Sequence, residues 1–405
     1  MKPPFFPYTI KIESGTWGFY HPTKINFIMM KRIYYILIPV LFLFSCEKPI
    51  SEFQSANFIK FFGSGYESKG NDVIELSDGG YVVTGYDMVN GTDKQIFLAK
   101  VDLNGNIVWS NTFGNFKASN SVDEGRILKE VSDGLLVAGT CVRSSGITQS
   151  FIMKVSIYGD LDWYKELDYE DDSTYNLEVK DIFVSDNNIF VAGQGHFTNY
   201  WAEKLSLDGD KVWSNSWDGL LNSSFSRVFQ DADTVLLVGT DGNGNYRKIT
   251  SININGNKSP INDIPPLVPD ESTADASLVG EILYILSNSS SGTQLLKLNA
   301  SHIIEWQTEK IASVTGKSFA YKDDGTIMIC GESTEGGVSS INFIKVDASG
   351  STDYGPQSFR NLQGSIERVI QTKDKGLILV GTTNGTFGSR VQLIKTDKDY
   401  FMLKN

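Results

Sequence analysis

Three columns of residues recur along the chain and predict an all-β fold: a seven-bladed β-propeller of four-stranded antiparallel blades. Take Asp102 as an anchor. Its equivalents are Ser156, Ser206, Asn253, Asn299, Asp347 and Asp397, at steps of 54, 50, 47, 46, 48 and 50 residues. Two positions before the anchor stands a lysine in six copies, at Lys100, Lys154, Lys204, Lys297, Lys345 and Lys395. Three positions after it comes Gly105, Gly159, Gly209, Gly256 or Gly350, with His302 and Tyr400 as exceptions. Seven positions after it stand Trp109, Trp163, Trp213 and Trp306, while Pro260, Tyr354 and Lys404 depart.

Each unit resolves into four strands. The first is a short alternating run such as Asp72–Leu76 or Arg368–Thr372, ended by an Asp/Gly turn at Asp78-Gly79-Gly80, Asp133-Gly134 or Asp324-Gly325. The second is apolar and ends in glycine, as in Tyr81–Gly85, Leu135–Gly139 and Leu377–Gly381. A polar loop leads to the third strand, Ile96–Val101 in the first copy. An Asn/Asp-Gly turn, which supplies the φ > 0 positions of a tight hairpin, leads to the fourth. The last copy stops soon after its third strand, Val391–Thr396. Ahead of the first copy, Phe58-Ile59-Lys60-Phe61-Phe62-Gly63 matches Trp109-x-x-x-Phe113-Gly114. The N-terminal segment is therefore expected to supply the missing fourth strand of the last blade, which closes the ring and removes its free edges.

The composition agrees. With 405 residues, 12% aromatic, 38 glycines and only 11 prolines, the chain is no disordered tail, collagen or coiled coil. A net charge of −12 argues against nucleic acid as a partner. Three cysteines build no disulfide framework, and three histidines leave little for a metal site.

Ahead of the repeats lies an address. Met30-Lys31-Arg32 precedes an apolar run, Ile33–Phe44, which is shorter than the roughly 20 residues of a spanning helix and reads as a signal peptide over residues 29–45. Leu43-Phe44-Ser45-Cys46 resembles a bacterial lipobox, with Cys46 as the lipidated residue. Several acyl chains on one residue anchor stably where one does not. Residues 1–28 read as an upstream extension ahead of a true start at Met29 or Met30. Residues 46–57 read as a polar tether and 58–405 as the propeller. The chain from Cys46 onward holds 31 basic and 47 acidic residues, a net of −16. The expected location is the bacterial cell envelope, lipid-anchored, at the outer membrane. Glu47 and Glu52 after the cysteine bear on which leaflet, without deciding it.

The Asp-x-x-Gly-x-x-x-Trp turns resemble those of quinoprotein-like propellers and, more closely, the propeller repeats of secreted proteins and lipoproteins of the Bacteroidota, over residues 58–405. The resemblance implies that Trp109, Trp163, Trp213 and Trp306 dock one blade onto the next. That family hosts enzymes, assembly factors and scaffolds, so it selects no function.

Few residues point to chemistry. Asp102–Asn106 and Asp208–Asp210 lack the further ligands of a calcium loop and read as hairpin turns. The repeated lysine reads as a stem packed between blades with its charge at a rim. No quinone-cofactor motif and no nucleophile-elbow Gly-x-Ser-x-Gly is present, so no cofactor, metal or catalytic residue is assigned. Cys141 and Cys330 read as buried free thiols. His196–Trp201 mixes aromatic and polar groups, suited either to sugar or peptide stacking or to packing. Acidic residues gather where first strands begin, at Asp72, Asp123, Glu124, Glu178, Asp275 and Glu367. They are either a ring at the channel mouth or solvated loop residues. The expected function is a non-catalytic binding or scaffold module, expected as a monomer, for a protein or glycan partner. The alternative is a carbohydrate-active envelope hydrolase with paired carboxylates near the channel.

Overall fold

The computed structural model describes residues 57–399 except 90, 115–121, 143–145, 169–175, 186, 197–198, 232, 243–245, 266–269, 336–337, 355–362 and 386–387. The extension, the signal, Cys46 and all of the tether but Asn57 lie outside the described residues. The rest forms seven antiparallel sheets of four strands each, a seven-bladed β-propeller. Blade 1 runs outward through Ser68–Glu75, Tyr81–Val89, Asp93–Val101 and Ile107–Phe113. The innermost strands of blades 2 to 7 are Val122–Val131, Leu177–Ser185, Ser224–Asp231, Ser272–Val279, Thr315–Tyr321 and Ser365–Gln371.

The ring closes as the sequence predicts. Phe58–Phe62 pairs antiparallel with Gly388–Lys395, Phe58 opposite Lys395 and Phe62 opposite Val391, as the fourth strand of blade 7. Phe58 and Phe62 are buried in a cluster that also takes Val73, Val83, Phe97, Val380 and Val391, so one apolar core spans the seam between the chain's two ends. The other clusters repeat this sharing of side chains between adjacent blades.

The Trp and Gly columns meet across blades. A Cβ added to Gly159, Gly209, Gly256 or Gly350 would lie about 3 Å from the ring of Trp109, Trp163, Trp213 or Trp306 in the preceding blade. Trp109 Nε1 donates to Ile157 O at 3.0 Å and Trp213 Nε1 to Ile254 O at 3.1 Å. At the seam Phe58 takes the tryptophan's place, with its ring against Gly105. The two turns without this glycine, at His302 and Tyr400, follow blades whose docking position holds Pro260 and Tyr354. A tryptophan thus stands only where the next turn has a glycine to meet it.

The innermost strands begin three or four residues earlier than their alternation suggests. Ser68–Glu75 replaces the expected Asp72–Leu76, and Ser365–Gln371 replaces Arg368–Thr372. A bulge explains the difference, since it inserts one residue and breaks the period of two. It recurs at one place in all seven blades, at Asn71, Arg126, Lys180, Ser226, Ala274, Lys317 and Glu367. The residue after the bulge is then free to bind the next blade. Leu128 N donates to Asp72 Oδ2 at 2.8 Å, Val228 N to Asp181 Oδ2 at 3.1 Å and Phe319 N to Asp275 Oδ2 at 3.1 Å.

Candidate functional site

The seven bulges bring one register of polar residues to the end of the ring where the innermost strands begin. Bulge residues, and those two positions before them, are half-buried or exposed in every blade except for the intervening buried positions. Blades 1 to 3 carry a chain of charges that crosses from blade to blade. Lys69 lies 4.0 Å from Glu124 of blade 2 and 3.4 Å from Glu367 of blade 7. Asn71 Nδ2 donates to Glu124 Oε1 at 2.8 Å. Arg126 bridges Glu124, at 3.2 Å, and Glu178 of blade 3, which Lys180 also binds at 2.7 Å. In blade 6 Lys317 stands 3.7 Å from Glu332.

One layer deeper, two guanidiniums share one carboxylate across the axis. Arg227 Nε of blade 4 lies 2.7 Å from Asp275 Oδ1 of blade 5, and Arg368 Nη1 of blade 7 lies 3.3 Å from Asp275 Oδ2. Arg368 Nε also stands 3.7 Å from Asp72. Asp275 is 2% exposed at its side chain, whereas Arg227 and Arg368 keep 18% and 28% of theirs open.

These surroundings sort the carboxylates. Burial pushes the pKa of Glu178 up, but Lys180 and Arg126 outweigh it and hold the group below the usual glutamate range. Burial acts the same way on Asp275 and is overcome by Arg227 and Arg368, so it too lies below its ordinary value. At Asp72 burial wins over Arg368 and Lys129, and the pKa rises. Glu332 is raised by burial, with the charge of Glu367 adding to it against Lys317 and Lys69.

Of the five candidate channel-mouth acids, Glu124, Glu178 and Glu367 take places in this half-exposed register. Two do not. Asp123 is 3% exposed, because strand alternation turns it away from the side that Glu124 occupies. Asp275 lies beneath the mouth, held by the two guanidiniums. The aromatic pair of the blade 3 segment is also corrected: Tyr200 and Trp201 are 2% and 0% exposed, because their strand is inside the sheet with both faces covered. Phe197 and Thr198 lie outside the described residues. Cys141 and Cys330 are free and buried.

In three copies the repeated lysine binds the first hairpin turn of its own blade, whereas Lys204 donates to Ile254 O of the next blade at 3.2 Å. Lys100, Lys154 and Lys395 bind Asp78, Asp133 and Asp374 of the first hairpin turn, at 3.0, 2.5 and 2.9 Å. The carboxylate of Asp102 is taken up by its own turn, accepting from the backbone of Asn104 and Asn106 at 2.8 Å.

The axis holds bases as well as the acids expected from the sequence, and these bases were not among the candidate residues. Each innermost strand except that of blade 5 brings one to this end: Lys69, Arg126, Lys180, Arg227, Lys317 and Arg368. The signal was a lysine or arginine within two residues of each bulge but that of blade 5, before it at Lys69, on it at Arg126, Lys180 and Lys317, and after it at Arg227 and Arg368, legible only once the bulges are placed.

No family model and no curated protein matches the chain. Among solved structures, the chain is similar to the protein titled YCF48 bound to D1 peptide, at 6% identity and TM-score 0.53, covering 85% of this chain and 98% of that one. It is similar to the Dos1 propeller at 8% identity and TM-score 0.51, covering 83% and 94%. It also matches a puromycin hydrolase at 9% identity and TM-score 0.50, covering 81% of this chain and 52% of the other, so it spans about half the length of that enzyme. At these identities the likeness is one of fold.

Proposed function

We propose that this protein is a lipid-anchored lipoprotein of a bacterial cell envelope, at the outer membrane, whose propeller is a non-catalytic binding or scaffold module for a protein or glycan partner. Its repeats are read as the quinoprotein-like kind seen in Bacteroidota lipoproteins. One observation carries the binding half of this reading: two of the axial carboxylates, Glu178 and Asp275, are committed to cations. Glu178 and Asp275 are held ionised by Arg126, Lys180, Arg227 and Arg368, which suits a charged, preformed surface and leaves neither acid free to donate a proton. The anchor rests on Met30–Cys46. The neighbours support no narrower choice, since one propeller is titled as peptide-bound and another belongs to a hydrolase.

The test has two arms. Mass spectrometry of the membrane-extracted protein is expected to find acyl chains on Cys46 and no peptide from residues 1–28; an unmodified Cys46 overturns the anchor. Crosslinking in envelope extract, alongside a glycan array, is expected to capture a partner without turnover.

A second reading has one observation of its own. Glu332 has a raised pKa beside the charge of Glu367. A hydrolase with paired carboxylates would use these two, and loss of glycan cleavage in Glu332→Gln would establish it.

A further inference from the structure

The charged register is interrupted on one side of the axis. Where blades 1 to 3 place Lys69 and Asn71, Glu124 and Arg126, Glu178 and Lys180, blades 4 and 5 place Ser224 and Ser226, Ser272 and Ala274. The common bulge puts these residues at equivalent positions, and all four are half-buried. Short side chains standing where long ones stand elsewhere leave a recess in the wall. Lys180 of blade 3 flanks it on one side and Lys317 of blade 6 on the other. Below it lie the partly open guanidiniums of Arg227 and Arg368, whose shared carboxylate, Asp275, is covered.

We infer that this recess seats the C-terminal carboxylate of an extended peptide, held by Lys180, Lys317 and Arg227, with the serine hydroxyls of blades 4 and 5 meeting the peptide backbone. The inference rests on the binding reading and names its partner's chemistry. A carboxylate fits for three reasons. Cations of blades 3, 4 and 6 border it, and charge-assisted hydrogen bonds to ionised groups are the strong ones. Lys317 is held only loosely, 3.7 Å from Glu332, so it can turn to a ligand without abandoning a tight ion pair. The hydroxyls of Ser224 and Ser272, and of Ser226 when it leaves Thr273 O at 3.2 Å, both donate and accept, which matches a peptide's alternating groups. A sugar is disfavoured because none of the residues in these positions is aromatic, and stacking on an aromatic face is what sugar rings seek.

The experiment uses the full chain in detergent and a fluorescent pool of random hexapeptides with free C-terminal carboxylates, against the same pool amidated. Fluorescence polarisation is expected to show the carboxylate pool binding at least about tenfold more tightly, the worth of one charge-assisted hydrogen bond. Lys317→Gln is expected to remove most of that preference and leave amide binding unchanged. Ser272→Glu, which refills the recess with the side chain found at Glu124 and Glu178, is expected to abolish it with an unchanged melting temperature. Equal binding of the two pools, no binding by either, or displacement of the peptides by a neutral oligosaccharide overturns the inference. A partner captured from the envelope that binds irrespective of its carboxylate leaves the binding module standing and removes this assignment alone.

Discussion

Replacing Gly209 with alanine tests the cross-blade docking directly. Two costs add at this position. Gly209 has φ +77°, and an L-residue held in the left-handed region costs about 1–2 kcal/mol. Its new Cβ would also lie 3.0 Å from the Trp163 ring and 2.9 Å from Lys165 Cδ. The lysine stem can move aside, whereas the ring is packed against the core shared by blades 2 and 3. Overpacking of this kind costs about 1–3 kcal/mol, so Gly209→Ala is expected to destabilise by roughly 2–5 kcal/mol. Gly325 supplies the control: its φ is +81° and nothing lies within 4 Å of its added Cβ, so Gly325→Ala should cost only the backbone term, about 1–2 kcal/mol. In a Trp163→Ala background the clash is gone, and Gly209→Ala should fall to the Gly325→Ala value. The assay is urea unfolding of the two single variants and the double variant, followed by near-ultraviolet circular dichroism. A coupling energy of about 1–3 kcal/mol is expected between positions 163 and 209. Additive effects within about 0.5 kcal/mol would refute the docking argument, because the glycine would then serve its turn alone.

Other outcomes follow from the same packing. Asp275→Asn leaves Arg227 and Arg368 facing each other without their shared charge, and should cost about 3–5 kcal/mol in chemical denaturation; a loss below about 1 kcal/mol counts against the axial pairing. Because the Asp275 pKa lies below the ordinary value of 3.8, its contribution should be complete above that pH and disappear as pH falls through the lower folded value. Asp72 has the opposite sign: its raised pKa means that stability falls as pH climbs through the window above 3.8, and Asp72→Asn should flatten that slope in pH-dependent melting. Phe58→Ala should cost about 3–4 kcal/mol, since a buried ring at the seam is lost, and the thermal melt should shift accordingly. A thiol titration of the mature protein should count none in the native state and two after denaturation, from Cys141 and Cys330, with a third appearing only if Cys46 is unmodified.

What was legible in the sequence was whatever repeats on a fixed period. The Lys, Gly and Trp columns gave the blade count, and Phe58 in the tryptophan position gave the closing strand, because hairpin turns and ring docking each impose one residue type at one spacing. The innermost strand starts were not legible, since a bulge hides alternation from any reading that counts in twos. Glu124 and Glu178 could be found as acids beside strand starts; Asp123, their neighbour in sequence, could not be told from them until strand direction turned it inward.

The chain by itself therefore determined the ring, its seam and the residue types that join blade to blade, because these are local rules applied seven times. Only the tertiary structure decided what stands at the axis. Lys69 and Glu367 are 298 residues apart, and Arg368 and Asp275 are 93 apart, yet they meet there. Such pairs are set by how seven blades close around one line. Which charges face, which are covered and where the wall is left short depend on all seven at once, and no window along the sequence contains them.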